Sequence, residues 1–312
     1  MIRQDAIRLA ATLLLLSAWA GCSREPSAFE SSGSPAARET REIELADYQK
    51  RFVSRVHRVI TSVYKTPIPD IKMLDSGCDT SGKQVLHFSR LIRGEMIGIS
   101  PEDWFPDPAA QAYCQEGKCT LIRMDGLDLK FPDETFDVVL SANVLEHVSD
   151  PDRYLQELHR VLKKGGVAIL EFYPVWSGPR GHHIHEDMVK AWGGERYVND
   201  GSIIPDWGHL RCTQEEMQAL LKDKMRADVL DQVLTFIYSK QPNFNGINRL
   251  PWSRIKGALE STFSSVRIKT WPCDGVNASL KPQDGKEDYE VGGAWILAGK
   301  ERDLSTLPKS VY

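Results

Sequence analysis

Positive charge is in short supply: 39 Lys and Arg stand against 43 Asp and Glu, a formal net charge of −4 at pH 7. Proteins that grip nucleic acid neutralise phosphates with clustered Lys and Arg. No basic stripe stands out here, which argues against a tRNA or DNA substrate, and no nucleic-acid partner is expected. Cysteine is scarce as well. Six cysteines at scattered positions do not make a disulfide framework, although Cys114 and Cys119 are spaced to pair locally. The apolar run at residues 9–20 is too short to span a bilayer comfortably. What is present is a 312-residue chain, long enough to bury an ample core as one large domain or a domain with additions.

The first 22 residues have their own pattern. Arg3 and Arg8 flank Asp5, the apolar run follows, and Ala20-Gly21-Cys22 closes it, as in a secretory signal with a lipoprotein-like cleavage site. Trp19 stands where such sites usually carry an aliphatic residue. Lipidation at Cys22 would attach the chain to a membrane through its N-terminus. Residues 23–41, rich in Ser, Pro, Ala and Glu without periodicity, read as a flexible tether. From residue 42 to 65, Tyr48, Phe52, Val56, Val59, Ile60 and Val63 recur at helical spacing, which predicts an amphipathic helix packed on the domain that follows.

That domain announces itself by alternation of strands and helices. Residues 71–74 (IKML) read as a strand running into the turn Asp75-Ser76-Gly77-Cys78, and Val85, Phe88, Leu91 and Ile92 continue as an amphipathic helix. Residues 136–141 (FDVVLS) are a short apolar run of the kind a parallel sheet buries on both faces. A helix then starts at Asp150 as N-cap, with Pro151 at its first position and Asp152 in its first turn. Tyr154, Leu155, Leu158, Val161 and Leu162 form its buried stripe, and Lys163, Lys164, Gly165 and Gly166 are expected to end it. Residues 167–172 (VAILEF) read as the next buried strand, completing a right-handed parallel crossover.

Taken in order, residues 125–166 string together an acidic residue, an F-P turn, FDVV, LEHV, a helix ending in RVL, and KKGG. This set resembles the second half of the nucleotide-binding domain of class I S-adenosylmethionine-dependent methyltransferases, in the small-molecule branch called type 11. The resemblance implies an α/β fold: a doubly wound, mostly parallel seven-stranded sheet, Rossmann-like, with an acceptor-side insert. It implies S-adenosylmethionine as cofactor and methyl transfer to the oxygen or nitrogen of a small-molecule acceptor. The methyltransferase domain is then residues 42–302, with a cofactor-binding half at 66–172, an acceptor-side half at 173–302 and a tail at 303–312. The family's glycine-rich turn, D-x-G-x-G-x-G, corresponds to residues 75–82, where only Gly77 stands as expected; Asp79 and Ser81 replace the next two glycines and Gly82 arrives one residue late. Aspartate tolerates the left-handed region better than most residues, so the turn can survive the change. Ser100 stands in place of the acidic residue that binds the ribose, with Glu102 nearby to compensate, while Asp125 occupies the adenine-reading position. The cofactor-binding residues implied are Asp75, Gly77, Cys78, Gly82, Ser100, Asp125, Gly126 and Asn143.

Because S-adenosylmethionine is cytosolic, the N-terminal signal leaves three readings: a start placed too far upstream, an uncleaved anchor with the catalytic domain in the cytoplasm, or a true lipoprotein with altered function. The last corresponds to a membrane-tethered, non-catalytic binding protein on a degenerate scaffold. Acceptor chemistry is expected beyond Phe172, where the chain leaves the carboxyl edge of the sheet. His182, His183 and His185 crowd one loop and His209 follows Trp207-Gly208. With Glu186 they invite comparison with a metal site, but they lack a recognised ligand spacing, and no metal is assigned. An acceptor pocket with one histidine as general base is preferred, the remaining reading being loop organisation by hydrogen bonds. His183 and His209 are the catalytic candidates. Thr213-Gln214-Glu215-Glu216 reads as a capping box. Residues 266–270 read as an edge strand, 293–298 as a buried closing strand, and the insert between Leu230 and Thr262 as an acceptor-side cover.

Overall fold

The computed structural model describes residues 45–311, apart from residues 46, 66–68, 80, 102–110, 113, 115–118, 195–196, 198, 240–246 and 285–286. The N-terminal signal, the tether, Cys22 and Glu102 lie outside the described residues.

Seven strands form one sheet in the order β3-β2-β1-β4-β5-β7-β6. They are β1 (Asp70–Ser76), β2 (Arg93–Ser100), β3 (Cys119–Arg123), β4 (Phe136–Ala142), β5 (Leu162–Phe172), β6 (Ser265–Trp271) and β7 (Gly293–Gly299). Pairings among β1 to β5 are parallel, and β7 runs antiparallel to both β5 and β6. This is the doubly wound sheet expected, with one reversed strand. Side chains alternate across it, so neighbouring residues enter different cores. Met73, Val138, Val167 and Trp295 face helices α1 (Asp47–Tyr64) and α2 (Lys83–Leu91), whereas Leu74, Val139, Ala168 and Ile296 face α3 (Pro151–Val161) and α8 (Trp252–Thr262). Phe52, Val56, Val59, Ile60 and Val63 of the α1 stripe are buried as predicted, and the Phe52 ring meets Trp295 edge-on at 5.7 Å.

Local signals explain the element boundaries, with one correction. Asp150 caps α3 by accepting from Arg153 N at 3.1 Å, with Pro151 at the first turn. The helix nevertheless ends at Val161, and Lys163–Gly166 belong to β5 rather than to a helix-ending turn. The register explains why: Phe136 pairs with Leu162 but Val138 pairs with Val167, so the KKGG residues are taken up as a bulge. Lys163 Nζ holds Asp137 at 2.8 Å there, and Gly165 sits at φ 73°.

Between β5 and α8 lies a helical lobe of α4 (Glu186–Ala191), α5 (Gly208–Arg211), α6 (Gln214–Leu221) and α7 (Ala227–Tyr238). It has its own core, built from Ile184, Val189, Tyr197, Met217, Leu221, Val229 and Val233. Thr213 makes the expected capping box with Glu216. The cover expected at residues 230–262 therefore divides: Phe236 and the rest of α7 pack inside this lobe, while Trp252 and α8 pack in the sheet core against Phe172, ring centroids 5.9 Å apart. Phe244 lies outside the described residues.

Candidate active site

The strand order reverses between β1 and β4, and in open parallel sheets the crevice at the carboxyl ends beside such a reversal is where ligands bind. Asp75, Ser76, Ser100, Asp125 and Asn143 all lie at that edge, at the ends of β1, β2, β3 and β4 or just beyond them.

At the β1 exit, Gly77 adopts φ 92°, and Gly77 N and Cys78 N both donate to Ile99 O at 2.9 Å, tying the turn to β2. A Cβ on Gly77 would come within 2.2 Å of Val144 Cγ2, so glycine is required by backbone conformation and by close packing together. Gly82 is also left-handed, at φ 61°, and caps α2. Ser81 bonds Asp79 through both its N and its hydroxyl, which holds the altered part of the turn together without the missing glycines. Cys78 is buried, and burial pushes its thiol well up, away from any role as a nucleophile. Asp75 is fully buried; Gln84 Nε2 donates to its Oδ2 at 3.2 Å, and its Oδ1 has no hydrogen-bond partner among the described residues. Burial is the main reason its carboxyl is pushed up to about 7.

Tyr154 was legible only as a core residue. Its hydroxyl lies 3.0 Å from Ser76 Oγ and 2.9 Å from Ser141 Oγ, cross-linking the exits of β1 and β4. Its ring also explains Gly126, where a Cβ would lie 2.6 Å from Tyr154 Cε2. Ser100 is buried at the end of β2 and its carbonyl accepts from Met124 N at 3.0 Å. The exposed Asp125 accepts from Leu127 N at 2.9 Å through Oδ1. Asn143 is exposed and left-handed at φ 54°, a conformation asparagine tolerates.

These features suit a cationic ligand such as S-adenosylmethionine, which bears positive charge at sulfonium and amino groups. A buried carboxylate oxygen without a partner is costly alone and is relieved by a cation. Asp75 would face that charge, Gly77 would give the backbone room, and Asp125 would offer acceptors to the adenine amine.

The segment beyond β5 and the turn after β4 bring several imidazoles together. His147, in the turn after β4, packs its ring on His183 with centroids 4.8 Å apart, and His183 meets His185 at 4.5 Å. His182 and His209 form a second pair at 5.6 Å. His147 belongs to the LEHV segment but was not singled out; its pairing depends on a loop 36 positions onward, beyond local pattern. His183 is left-handed at φ 58°, and burial first, then the neighbouring imidazoles of His147, His185 and His182, hold its pKa well below the usual value. His209 is anchored: its Nε2 lies 2.8 Å from Trp176 O, and since a carbonyl only accepts, Nε2 carries the proton. Burial lowers its pKa to about 4. His182 Nδ1 accepts from Ile184 N at 3.1 Å, shaping its own loop. Glu146, also missed, is buried with Oε1 3.4 Å from Tyr173 N, Oε2 without a partner among the described residues, and its pKa pushed up to about 8, chiefly by burial. Among the described residues no group of three or more His, Cys, Asp or Glu is arranged to hold a metal ion.

Residues 74–170 match the family model described as a methyltransferase domain. The chain carries a methyltransferase domain. An uncharacterized methyltransferase of Mycolicibacterium vanbaalenii is 46% identical over 95 residues, 29% of this chain and 36% of that protein. One of Mycobacterium leprae is 27% identical over 170 residues, 50% of this chain and 62% of that protein. The chain thus spans between about a third and three fifths of the length of these curated relatives. A solved Pyrococcus horikoshii protein is 17% identical, with 83% of this chain and 93% of that one covered at a TM-score of 0.45. The matched domain contains Asp75, Gly77, Cys78, Gly82, Ser100, Asp125, Gly126 and Asn143. His183 and His209 lie beyond it.

Proposed function

We propose that the chain transfers the methyl group of S-adenosylmethionine to an oxygen or nitrogen of a small molecule. The observation that carries this reading is Asp75, a buried carboxylate with an unpartnered oxygen at the sheet reversal, inside a methyltransferase domain. The cofactor supplies an electrophilic methyl group, so no nucleophilic side chain is needed. The residues of this chain hold, orient and dehydrate. Asp75, Gly77, Cys78, Gly82, Ser100, Asp125, Gly126 and Asn143 line the cofactor crevice, and the His147–His183 pair borders its acceptor side. An acceptor hydroxyl or amine gives up a proton as it is methylated. A histidine whose pKa is depressed is neutral at pH 7 and has a lone pair free to take that proton. His183 is assigned that part, and His209, its donor engaged by Trp176, orients the loop.

The experiment is calorimetry with S-adenosylmethionine. The wild-type chain binds, Gly77→Val loses binding through strain and collision with Val144, and Asp125→Ala weakens it. Unchanged affinity in both variants would remove the cofactor assignment.

Location is a separate proposal. Among the described residues no helix is long and apolar enough to cross a membrane. A cytosolic cofactor calls for a catalytic domain in the cytoplasm; the Cys114–Cys119 disulfide, a bond that persists mainly in oxidising compartments, speaks instead for export and for the non-catalytic reading that export implies. Expression of the full chain tests it: membrane partition abolished by Cys22→Ser supports lipidation, whereas a wild-type chain that is soluble and unprocessed refutes it.

A further inference from the structure

The β4 exit turn is gripped from outside the matched domain. Asn248, in the segment that leaves the helical lobe for α8, donates from its backbone N to Glu146 O at 2.7 Å, and from Nδ2 to Leu145 O at 2.7 Å and Val148 O at 3.2 Å. Its Oδ1 accepts from Leu250 N at 3.2 Å, which fixes the amide's orientation. Three carbonyls of the LEHV segment are therefore satisfied by one residue about a hundred positions away. The fourth member of the turn, His147, is the one whose ring stands on His183. Within the turn, His147 N donates to Val144 O at 2.8 Å, so the peptide that carries the imidazole is held on both sides.

An asparagine is well matched to this task. Only a primary amide offers two N–H donors and one acceptor in a plane. Aspartate would turn an acceptor toward two carbonyl oxygens, and alanine would leave both without this donor.

We propose that Asn248 is a positioning residue for the acceptor side: it sets the β4 exit turn so that the His147 ring meets His183, and thereby couples the helical lobe to the proton-accepting imidazole. This rests on the assignment of His183 in the methyl-transfer reading. Asn248 acts through His147 and does not itself touch the acceptor.

The test is an NMR titration of the imidazoles in the full chain, paired with calorimetry of S-adenosylmethionine. His183 is faced by His147 from the turn, and by His185 and His182 from its own loop. Removing one imidazole neighbour raises the midpoint of the other. His147→Ala is expected to raise the His183 midpoint by about half a pH unit. Asn248→Ala is expected to do the same by releasing the turn, and Asn248→Asp likewise, with His209 unmoved and cofactor affinity changed less than about threefold. A folded Asn248→Ala protein in which His183 titrates as in wild type overturns the proposal. Should both Asn248 variants fail to fold, the exposed His147→Ala still decides: an unmoved His183 midpoint means the two rings are not coupled and the proposal falls. Failure of the wild-type chain to bind S-adenosylmethionine would instead sink the methyl-transfer reading and leave these midpoints readable.

Discussion

The proposed cofactor edge takes much of its shape from backbone. Gly77 and Asn143 turn left-handed where β1 and β4 end, Gly77 N and Cys78 N are pinned to Ile99 O, and the helix that follows β4 is capped by its own Asp150. The acceptor side takes its shape from side chains far apart in sequence: His147 on His183, His209 on Trp176, Asn248 on the LEHV carbonyls. The first kind of construction tolerates substitution where dihedral angles can be kept and no neighbour crowds the β-carbon: Asp79 and Ser81 stand in for glycines and bond each other, whereas Gly77 has no room for a side chain. The second kind depends on particular chemical groups. On the proposed reading, this chain can keep its cofactor edge while the lobe beyond it is rebuilt for a different acceptor.

The strongest way to break this comparison is His183→Ala. If acceptor chemistry sits in the imidazole pair, the variant loses methyl transfer by about 10²- to 10⁴-fold and binds S-adenosylmethionine as before. Full turnover, once an acceptor is in hand, would reduce His183 to scaffolding. His209→Ala is expected to act through the loop, lowering thermal stability as well as rate.

The converse change is in the other region. Asp75→Ala is expected to weaken S-adenosylmethionine by about 10- to 100-fold, the value of a hydrogen bond to a charged group, without moving the His183 titration. Its pH dependence gives a sharper check. The Asp75 carboxyl titrates near pH 7 in the unliganded fold, and the cationic ligand prefers the ionised form. Affinity should therefore rise about tenfold between pH 6 and pH 8, and Asp75→Asn should flatten that profile. The effect on stability has the opposite sign. A carboxyl raised above its ordinary value stabilises the unliganded fold at acid pH, and that contribution is lost as pH rises through about 7. A flat affinity profile in wild type would show that Asp75 does not meet the charge.

The same division governs what can be read from sequence. Strands β1 and β4, the core of β5 at residues 167–172, the Asp150 cap and the Thr213 capping box follow from periodicity and end signals within a few residues and appear as expected, although β5 begins earlier, at Leu162. The KKGG residues misled because two lysines and two glycines after a helical stripe look like a stop signal, while the bulge that absorbs them depends on pairing with β4. Tyr154 and Glu146 were in view as letters of a motif, yet their hydroxyl and carboxyl roles come from tertiary neighbours. Asn248 gave no local signal at all. Its partners lie across the molecule.

The Cys114–Cys119 disulfide offers a milder test on the cofactor side. Cys119 opens β3, whose far end leads to Asp125, and the bond closes a loop of only five positions. Loop-closure entropy for so short a span predicts a contribution of about 2 kcal/mol. Unfolding by urea with and without reductant should show that difference, and Cys114→Ser should show it without reductant. Cys78, Cys212 and Cys273 are free thiols, so reduction leaves them unchanged. The His183 midpoint should not respond, because no part of the imidazole pair rests on β3.

The smallest effect is expected at Asn143, and it tests whether backbone alone matters at the cofactor edge. The residue is exposed, its N donates to Glu171 O at 2.7 Å, and its φ of 54° lies where a β-carbon is disfavoured. Asn143→Ala keeps that donor but loses asparagine's tolerance of the left-handed region, and should cost about 1 kcal/mol in urea unfolding. Asn143→Gly removes the steric conflict and should stay within about 0.5 kcal/mol of wild type. If dihedral angle is all this position supplies, cofactor affinity follows the same order, with glycine close to asparagine and alanine below both. If the side-chain amide itself holds the cofactor, glycine and alanine should bind equally poorly despite their different stabilities, and the edge would then depend on particular groups just as the acceptor side does.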